Sequence, residues 1–307
     1  MTEPPTAATR LAHAVREKHS IVCLGLDPRR ESLPPAIAGT IDSDRPDVVA
    51  AAYTLFCKEI LDVAAEKVAC VKPQSAFFEA LGPAGVVALG EVIAYAKNLG
   101  VEVIVDAKRN DIGSTATAYA QAYLGSASPF GGDWLTVSPY LGRDSIEPFV
   151  DACDRQSAGI FVLVKTSNPS GGMIQDRITD STPVYRCVAD ALCQWNADRL
   201  NGLGYGPIGA VVGATYPDQL AELRSALPNA WILIPGFGAQ GGGVDDVRPG
   251  VARDGLGAVV NSSRHLIFAH DRQPYREKYS AGQWQHAVAD ATDEMNSQLS
   301  TLLPPAP

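Results

Sequence analysis

The sequence predicts a (β/α)₈ barrel, and three observations support this. Eight short apolar runs recur along the 307 residues, and they are rich in β-branched residues, as strands covered on both faces are. Segments with apolar residues at helical spacing lie between the runs. Eight strands suffice to close such a barrel, and no linker or shift in composition divides the chain, which favours the barrel over an open doubly wound sheet.

The elements follow one another in a regular order. The predicted strands cover residues 21–26, 68–72, 101–108, 134–138, 160–165, 208–213, 231–235 and 257–261. The predicted helices, marked by helical spacing and by turn residues at their ends, cover 46–67, 83–100, 181–204, 216–228 and 282–300. We expect one domain over residues 1–307, with frayed N-terminal residues and a frayed C-terminal tail.

Two predicted loops are longer than barrel connections usually are. They cover residues 27–46 and 166–181. Long loops without strong structure of their own often cover a functional site, so we expect these two loops to do so.

Composition and charge exclude several classes of protein. The net charge of −9 and the lack of a basic stripe argue against a nucleic-acid partner. No run of about 18 apolar residues is present, and the first 20 residues lack the apolar core of a secretion signal, which predicts a cytoplasmic protein without a membrane partner. The cysteines form no CxxC pair, so we expect buried structural thiols and neither a zinc site nor disulfides; they are Cys23, Cys57, Cys70, Cys153, Cys187 and Cys193.

Polar side chains concentrate where the predicted strands end. Active sites of these barrels lie at the carboxyl ends of the strands, so residues at these ends are candidates for one site. They are Asp27, Lys72, Asp106, Lys108, Ser138, Lys165, Thr166, Ser167, Asn168 and Arg264, with Asp111 just beyond the third strand.

The stretch VIVDAKRND at the third strand carries the densest charge. Alternation along a strand predicts that Asp106 and Lys108 point to the same face, with Ile104 one layer below. The direction of Asp111 is not set by the strand. A structural ion pair that closes the barrel is one interpretation. Several ionisable groups at one rim stabilise poorly, because desolvation offsets most of their attraction, so a functional site is favoured.

The segment GFGAQG at residues 236–241 matches the pattern GxGxxG. A flexible loop and a dinucleotide-binding turn are both possible interpretations. The segment belongs to the seventh βα unit, however, and no acidic residue follows about 20 positions later, as a dinucleotide site requires. We therefore predict a phosphate site, in which Gly236, Gly238 and Gly241 allow close approach, Gln240 donates a hydrogen bond and Arg264 supplies the charge.

Seven motifs in order carry a resemblance to a known family. They are GLDPR, VKPQSAFFE, VDAKRNDIGST, VKTSNPS, VVGAT, PGFGAQGG and NSSR, at strands one, two, three, five, six, seven and eight. Together they resemble the orotidine 5′-phosphate decarboxylase superfamily, in particular its longer bacterial members. The resemblance covers nearly the whole chain and implies a carboxy-lyase of pyrimidine biosynthesis that uses no cofactor and no metal.

The resemblance also implies a role for individual residues. Lys72, Asp106, Lys108 and Asp111 match the catalytic Lys–Asp–Lys–Asp tetrad, whose last member reaches the site of the partner subunit in a homodimer. The substrate-binding positions implied are Asp27 with Lys72 for the ribose, Ser167 or its neighbour Asn168 for the pyrimidine, Gly238, Gln240, Ser263 and Arg264 for the phosphate, and Thr115 across the dimer.

The implied chemistry is the loss of CO₂ from C6 of a pyrimidine nucleotide. Lys108 would stabilise the carbanion and then protonate it. Two alternatives stay open: a Mg²⁺-dependent sugar-phosphate decarboxylase or synthase of the same superfamily, and a barrel that binds a phosphorylated metabolite without catalysis. A dinucleotide-dependent oxidoreductase is a third.

Overall fold

Eight parallel strands form a closed barrel in the computed structural model, which describes residues 4–238 and 241–305. Each strand pairs with the next one along the chain, and the last pairs with the first. The strands are Val22–Leu26, Cys70–Pro73, Glu102–Arg109, Trp134–Val137, Gly159–Lys165, Ile208–Val212, Ile232–Pro235 and Ala258–Ser262. The predicted barrel is confirmed, and no strand boundary differs from its prediction by more than two residues.

Helices lie between the strands, as the sequence predicts. The longer helices are Ala7–Lys18, Pro46–Ala64, Gly82–Asn98, Gly113–Tyr123, Glu147–Gln156, Val184–Asn196, Pro217–Ala226 and Trp284–Ser300. The short helices are Pro35–Ala38, Ser75–Glu79, Gly172–Gln175, Val244–Val247, Arg264–Ile267 and Tyr275–Lys278. The prediction for 181–204 was too long, because the helix ends at Asn196 and the chain then turns towards the next strand.

The first helix, Ala7–Lys18, was not among the predicted elements. Its buried face is made largely of alanine, which gives a weak apolar signal in the sequence. The helix packs at the amino ends of the strands: the Ala7 amide donates to the Ser157 carbonyl, and the Arg10 side chain bonds Glu102 and Asp133. Residues 1–3 and 306–307 lie outside the described ranges, so the prediction of frayed ends stays a prediction for them.

The loop after the fifth strand carries structure of its own. It contains the short helix Gly172–Gln175 and a hairpin of Ile178–Thr179 with Thr182–Pro183. The fully buried Lys165 ammonium donates to Asp176 at 2.5 Å, and the Gln175 carboxamide bonds the amide and the hydroxyl of Thr166. These contacts hold the loop over the carboxyl end of the barrel, as expected for residues 166–181.

Two further expectations concern the whole chain. No helix in the described ranges is long and apolar enough to cross a membrane. The prediction of buried thiols was wrong for Cys187 and Cys193, which are exposed on the outer helix Val184–Asn196; the other four cysteines are buried, and all six are unpaired.

Candidate active site at the carboxyl ends of the strands

A cavity of about 870 Å³ lies at the carboxyl ends of the strands. Residues in or directly after all eight barrel strands line it, together with the loop after the fifth strand. Among the residues predicted from the sequence, those that line this cavity are Asp27, Lys72, Asp106, Lys108, Ser138, Thr166, Ser167, Asn168, Ser263 and Arg264. The strands run parallel in a closed barrel, so their ends converge on one face and bring these distant residues together.

Asp106 is the centre of the charged cluster. One carboxylate oxygen, Oδ2, accepts from Lys72 Nζ at 2.7 Å and from Gln74 Nε2 at 2.9 Å. The other, Oδ1, accepts from Lys108 Nζ at 2.7 Å and from the Thr136 hydroxyl at 2.9 Å. Four donors therefore fix this carboxylate in one orientation.

The charges at this cluster stabilise one another. Burial alone would raise the pKa of Asp106, but Lys72 and Lys108 outweigh it and hold that pKa well below its ordinary value. Burial likewise disfavours the Lys72 ammonium, but Asp106 and Asp27 outweigh it and raise the pKa of Lys72. A carboxylate and an ammonium thus persist side by side at neutral pH, although both are almost fully buried.

Lys108 is the member of the cluster that faces open space. Its side chain is 47% exposed, whereas those of Lys72 and Asp106 are 6% and 8% exposed. Its backbone has a φ of +47°, the left-handed region, so the strand no longer alternates regularly here. Lys108 and Asp106 do meet, as predicted, but regular alternation is not the reason.

Asp27 and Ser263 follow the first and the eighth strands, which are neighbours in the barrel, and both line the cavity. Asp27 Oδ1 is buried and has no hydrogen-bond partner among the described residues, so a polar group of a ligand could bond it. Ser263 packs tightly against Gly25 of the first strand: a β-carbon on Gly25 would lie 1.8 Å from the Ser263 hydroxyl oxygen. A glycine in GLDPR is therefore required for NSSR to approach.

The glycine-rich segment at residues 236–241 was predicted to bind a phosphate through its backbone amides, and the described part of it differs from that prediction. Gly236 lines the cavity beside Arg264, but Gly238 does not. The amides of Gly238 and Gly241 donate within the loop, to the carbonyls of Gly242 and Gly238. These two amides are thus occupied in this conformation rather than aimed at a ligand. Gln240 lies outside the described residues, so its predicted role stays a prediction.

Ser167 and Asn168 both line the cavity, but their surroundings differ. The Asn168 carboxamide oxygen already accepts from the Thr166 hydroxyl at 2.6 Å. Ser167 packs against Gly213, where a β-carbon would lie 2.8 Å from that of Ser167. The motif VVGAT at the sixth strand thus provides the space that places Ser167 at the cavity.

Asp111 and Thr115 do not join the cavity of their own chain. Asp111 follows the third strand, and its carboxylate accepts from the neighbouring Ile112 amide at 2.8 Å. Thr115 is exposed in the first turn of the helix Gly113–Tyr123. Both side chains are absent from the cavity lining, and their role across a dimer stays a prediction.

The sequence did not single out Gln74 or Thr136, although both bond Asp106. Gln74 lies two residues after Lys72 in the motif VKPQ, and this position at a strand end is the sequence feature that could have marked it as a site residue. Lys165 was expected at the rim, but its side chain is buried between Asp176 and the ring of Tyr216 and does not line the cavity.

The described residues contain no candidate metal site. Among the described residues, no three side chains of His, Cys, Asp or Glu come together so as to hold a metal ion. The cavity instead combines two lysines, two carboxylates and an arginine at the rim.

The fold and the cavity define a (β/α)₈-barrel protein with a lysine–carboxylate cluster at the carboxyl ends of its strands. A family model described as "Orotidine 5′-phosphate decarboxylase / HUMPS family" matches residues 20–279. The chain is 59% identical over 298 residues to an orotidine 5′-phosphate decarboxylase of Rhodopirellula baltica, covering 96% of this chain and 99% of that one. It is 40% identical over 271 residues to the enzyme of that name from Caldicellulosiruptor saccharolyticus, covering 85% and 89%.

A solved structure agrees with the sequence comparisons. The OMP decarboxylase of Leishmania donovani superposes with a TM-score of 0.76 at 32% identity, over 97% of this chain and 98% of that one. The chain belongs to the orotidine 5′-phosphate decarboxylase family and is a carboxy-lyase of pyrimidine biosynthesis. The predicted family membership is thereby confirmed.

Proposed function

We propose that this cavity decarboxylates orotidine 5′-phosphate to uridine 5′-phosphate without a cofactor, through a C6 carbanion that Lys108 stabilises and protonates. The observation that carries the proposal is the cluster around Asp106. Two ammonium groups are bonded to one ionised carboxylate, and only one of them, Lys108, extends into open space at the cavity.

The reaction needs a positive charge where negative charge develops. When the bond from C6 to the carboxylate breaks, the electron pair stays on C6 in the plane of the ring, and CO₂ leaves. The Lys108 ammonium stabilises that electron pair and then transfers a proton to C6; the amine regains its proton from solvent. An ammonium held at a fixed place needs no reorganisation as the charge forms, which lowers the barrier.

Asp106 has two functions in this mechanism. Its carboxylate keeps Lys72 and Lys108 apart and in place through hydrogen bonds of 2.7 Å. It would also repel the carboxylate of a substrate bound beside Lys108, and that repulsion would be relieved as neutral CO₂ forms.

The remaining cavity residues would hold the nucleotide. Asp27, whose Oδ1 has no hydrogen-bond partner in the part of the chain that the structure describes, and Lys72 would bond the ribose hydroxyls. Ser167 would bond the pyrimidine, because the Asn168 oxygen is already occupied. The phosphate would bind through Gln240, Ser263 and Arg264, without Gly238, whose amide donates within its own loop. Binding energy from the phosphate, remote from C6, can serve to order the site and so raise the rate.

We further propose a homodimer in which Asp111 and Thr115 complete the site of the partner subunit. The support is their position outside the cavity of their own chain. The exposed Ile112 between them, at 50%, is the kind of apolar residue that a subunit interface covers.

The direct test of the reaction is the loss of orotidine 5′-phosphate absorbance on addition of purified protein, before and after exhaustive chelation. We expect equal rates in both samples, because the proposed step uses no metal. A rate that collapses on chelation and returns with Mg²⁺ would favour the metal-dependent branch of the superfamily. Binding of the nucleotide without turnover would favour the non-catalytic alternative.

The shared site has its own test. Lys108→Ala and Asp111→Ala are coexpressed with different tags, and the mixed dimer is purified. One of its two sites collects both lesions, while the other is intact, so about half of wild-type activity should return. Lys108→Ala mixed with Asp106→Asn is the control, since both residues belong to the same chain's site and no activity should return. Failure of the first pair to recover would refute the sharing of Asp111 and leave the decarboxylation standing.

A further inference from the structure

The backbone of Lys108 is held in an unfavourable conformation within a barrel strand. Its φ of +47° lies in the left-handed region, which is unfavourable for a residue with a β-carbon compared with regular strand geometry. Such strain persists only where the surroundings enforce it. Since Lys108 is the residue that extends into the cavity, whatever enforces this conformation also places its ammonium.

The register of the neighbouring strand locates the cause. Val105 pairs with Leu135, and Arg109 pairs with Val137. Three residues of the third strand, 106 to 108, therefore face the single residue Thr136 of the fourth. The strand bulges at this point, and the ladder of backbone hydrogen bonds is interrupted there.

The Thr136 hydroxyl replaces the missing ladder contact. It accepts from the Lys108 amide at 2.9 Å and donates to Asp106 Oδ1 at 2.9 Å. Lys108 Nζ donates back to the same Asp106 oxygen at 2.7 Å. Thr136 is 1% exposed, and its loss would leave the nearly buried Asp106 carboxylate with one donor fewer. One hydroxyl thus closes a ring of hydrogen bonds through the backbone and the side chain of Lys108.

We infer that Thr136 is a positioning residue of the active site: its hydroxyl holds the left-handed Lys108 and the Asp106 carboxylate in the geometry required for proton transfer to C6. This inference rests on the proposed role of Lys108. Thr136 would add a residue of the fourth strand to a charged cluster whose other members, Lys72, Asp106 and Lys108, lie on the second and third strands.

The test compares Thr136→Val, which keeps the shape and removes the hydroxyl, with Thr136→Ser, which keeps the hydroxyl. A displacement of about 1 Å at a reacting group costs on the order of 10²-fold, so we expect Thr136→Val to lower kcat by about that factor. KM should change by less than about threefold, because the residues that hold the ribose and phosphate are untouched. Thr136→Ser should restore kcat to within about tenfold of wild type.

Thr292→Val is the matched control. Thr292 is also fully buried, and its hydroxyl donates to the Val288 carbonyl at 2.8 Å in the last helix, far along the chain from the site. It should lower the melting temperature without changing kcat. Amide hydrogen exchange adds a structural measurement: the Lys108 amide should exchange faster in Thr136→Val only.

Several outcomes would overturn the inference: an unchanged kcat in Thr136→Val, an equal loss in Thr136→Ser, or an equal loss in Thr292→Val. If Thr136→Val does not fold, Thr136→Ser is compared with Thr136→Cys, whose thiol is a weak donor and acceptor; equal kcat values in this pair would overturn it too. An active Lys108→Ala would instead refute the proposed function itself, so the two failures are distinguishable.

Discussion

The two ends of the third barrel strand carry two buried charge clusters that differ in kind. At the carboxyl end, Asp106 bonds Lys72 and Lys108 at the cavity. At the amino end, Glu102 and the nearby Asp133 share one guanidinium, that of Arg10 in the first helix. Both clusters have nearly buried carboxylates, with side-chain exposures of 8% for Asp106, 9% for Glu102 and 6% for Asp133.

The carboxyl pKa values move in opposite directions. Two lysines lower the pKa of Asp106 in spite of its burial. Burial, together with repulsion from Asp133, raises the pKa of Glu102 to about 7, because Arg10 offsets only part of these effects. One oxygen of Glu102, Oε2, is buried without a hydrogen-bond partner among the described residues, which further disfavours its charged form.

The difference indicates how one strand serves two purposes. The amino-end cluster ties the first helix to the base of the barrel through Arg10, so we expect it to act on stability. The carboxyl-end cluster has an excess of positive charge, and one of its cations extends into open space. In the proposed function, the carboxyl-end ion pair can act in catalysis because one of its partners, Lys108, is left accessible.

Replacing one lysine in each cluster, Lys108 at the carboxyl end and Lys97 at the amino end, should separate catalysis from stability most widely. Lys108→Ala should lower turnover by more than about 10⁴-fold, since both carbanion stabilisation and proton transfer are lost, with little change in melting temperature. Lys97→Ala, which removes the amino-end lysine bonded to Asp133, should leave turnover within about twofold. Steady-state kinetics and calorimetry measure both. Comparable turnover losses would abolish the distinction between the clusters.

Removing the shared guanidinium should affect stability alone. Arg10→Met leaves Glu102 and Asp133 buried without it, which should lower the free energy of unfolding by about 3 kcal/mol at pH 8. Urea denaturation measures this loss, and turnover below the transition should be unchanged. Arg45→Met, which breaks an exposed pair with Asp47, is the control and should show no measurable change. A turnover defect in folded Arg10→Met would contradict the assignment.

The smallest expected effect is a change in how the free energy of unfolding depends on pH. The folded-state pKa of Glu102 is raised from its ordinary 4.5 to about 7, so the folded protein binds more protons than the unfolded chain between these values. The stabilisation is therefore complete below pH 4.5 and is lost as pH rises through about 7, a change on the order of 1–3 kcal/mol. Asp106, with a lowered pKa, contributes in the opposite sense and loses its contribution only in acid.

Glu102→Gln isolates that slope, because glutamine keeps the shape and does not titrate. The free energy of unfolding, measured in urea from pH 4.5 to 8, should depend less on pH than in wild type. A slope equal to that of wild type would show that Glu102 is not the titrating group and that the two carboxylates do not differ as described.

Local sequence patterns were sufficient for the elements and for most of the site. Strands were located within two residues because continuous β-branched runs are a strong signal. Helices rich in alanine or polar residues, such as Ala7–Lys18 and Gly113–Tyr123, were missed because their apolar pattern is weak. Asp27, Lys72, Asp106 and Arg264 were found since the ends of parallel strands must converge.

By itself, the sequence determined the strand count, the barrel and the set of charged residues at one rim, because these depend on periodicity along the chain. Tertiary structure alone decided which residues meet: Thr136 opposite the bulge at Lys108, Gln74 on Asp106, and Arg10 between Glu102 and Asp133. Those contacts depend on the register between strands and on the docking of a distant helix. Register involves two segments at once, and most of these strands are buried on both faces, so alternation within one strand does not specify it.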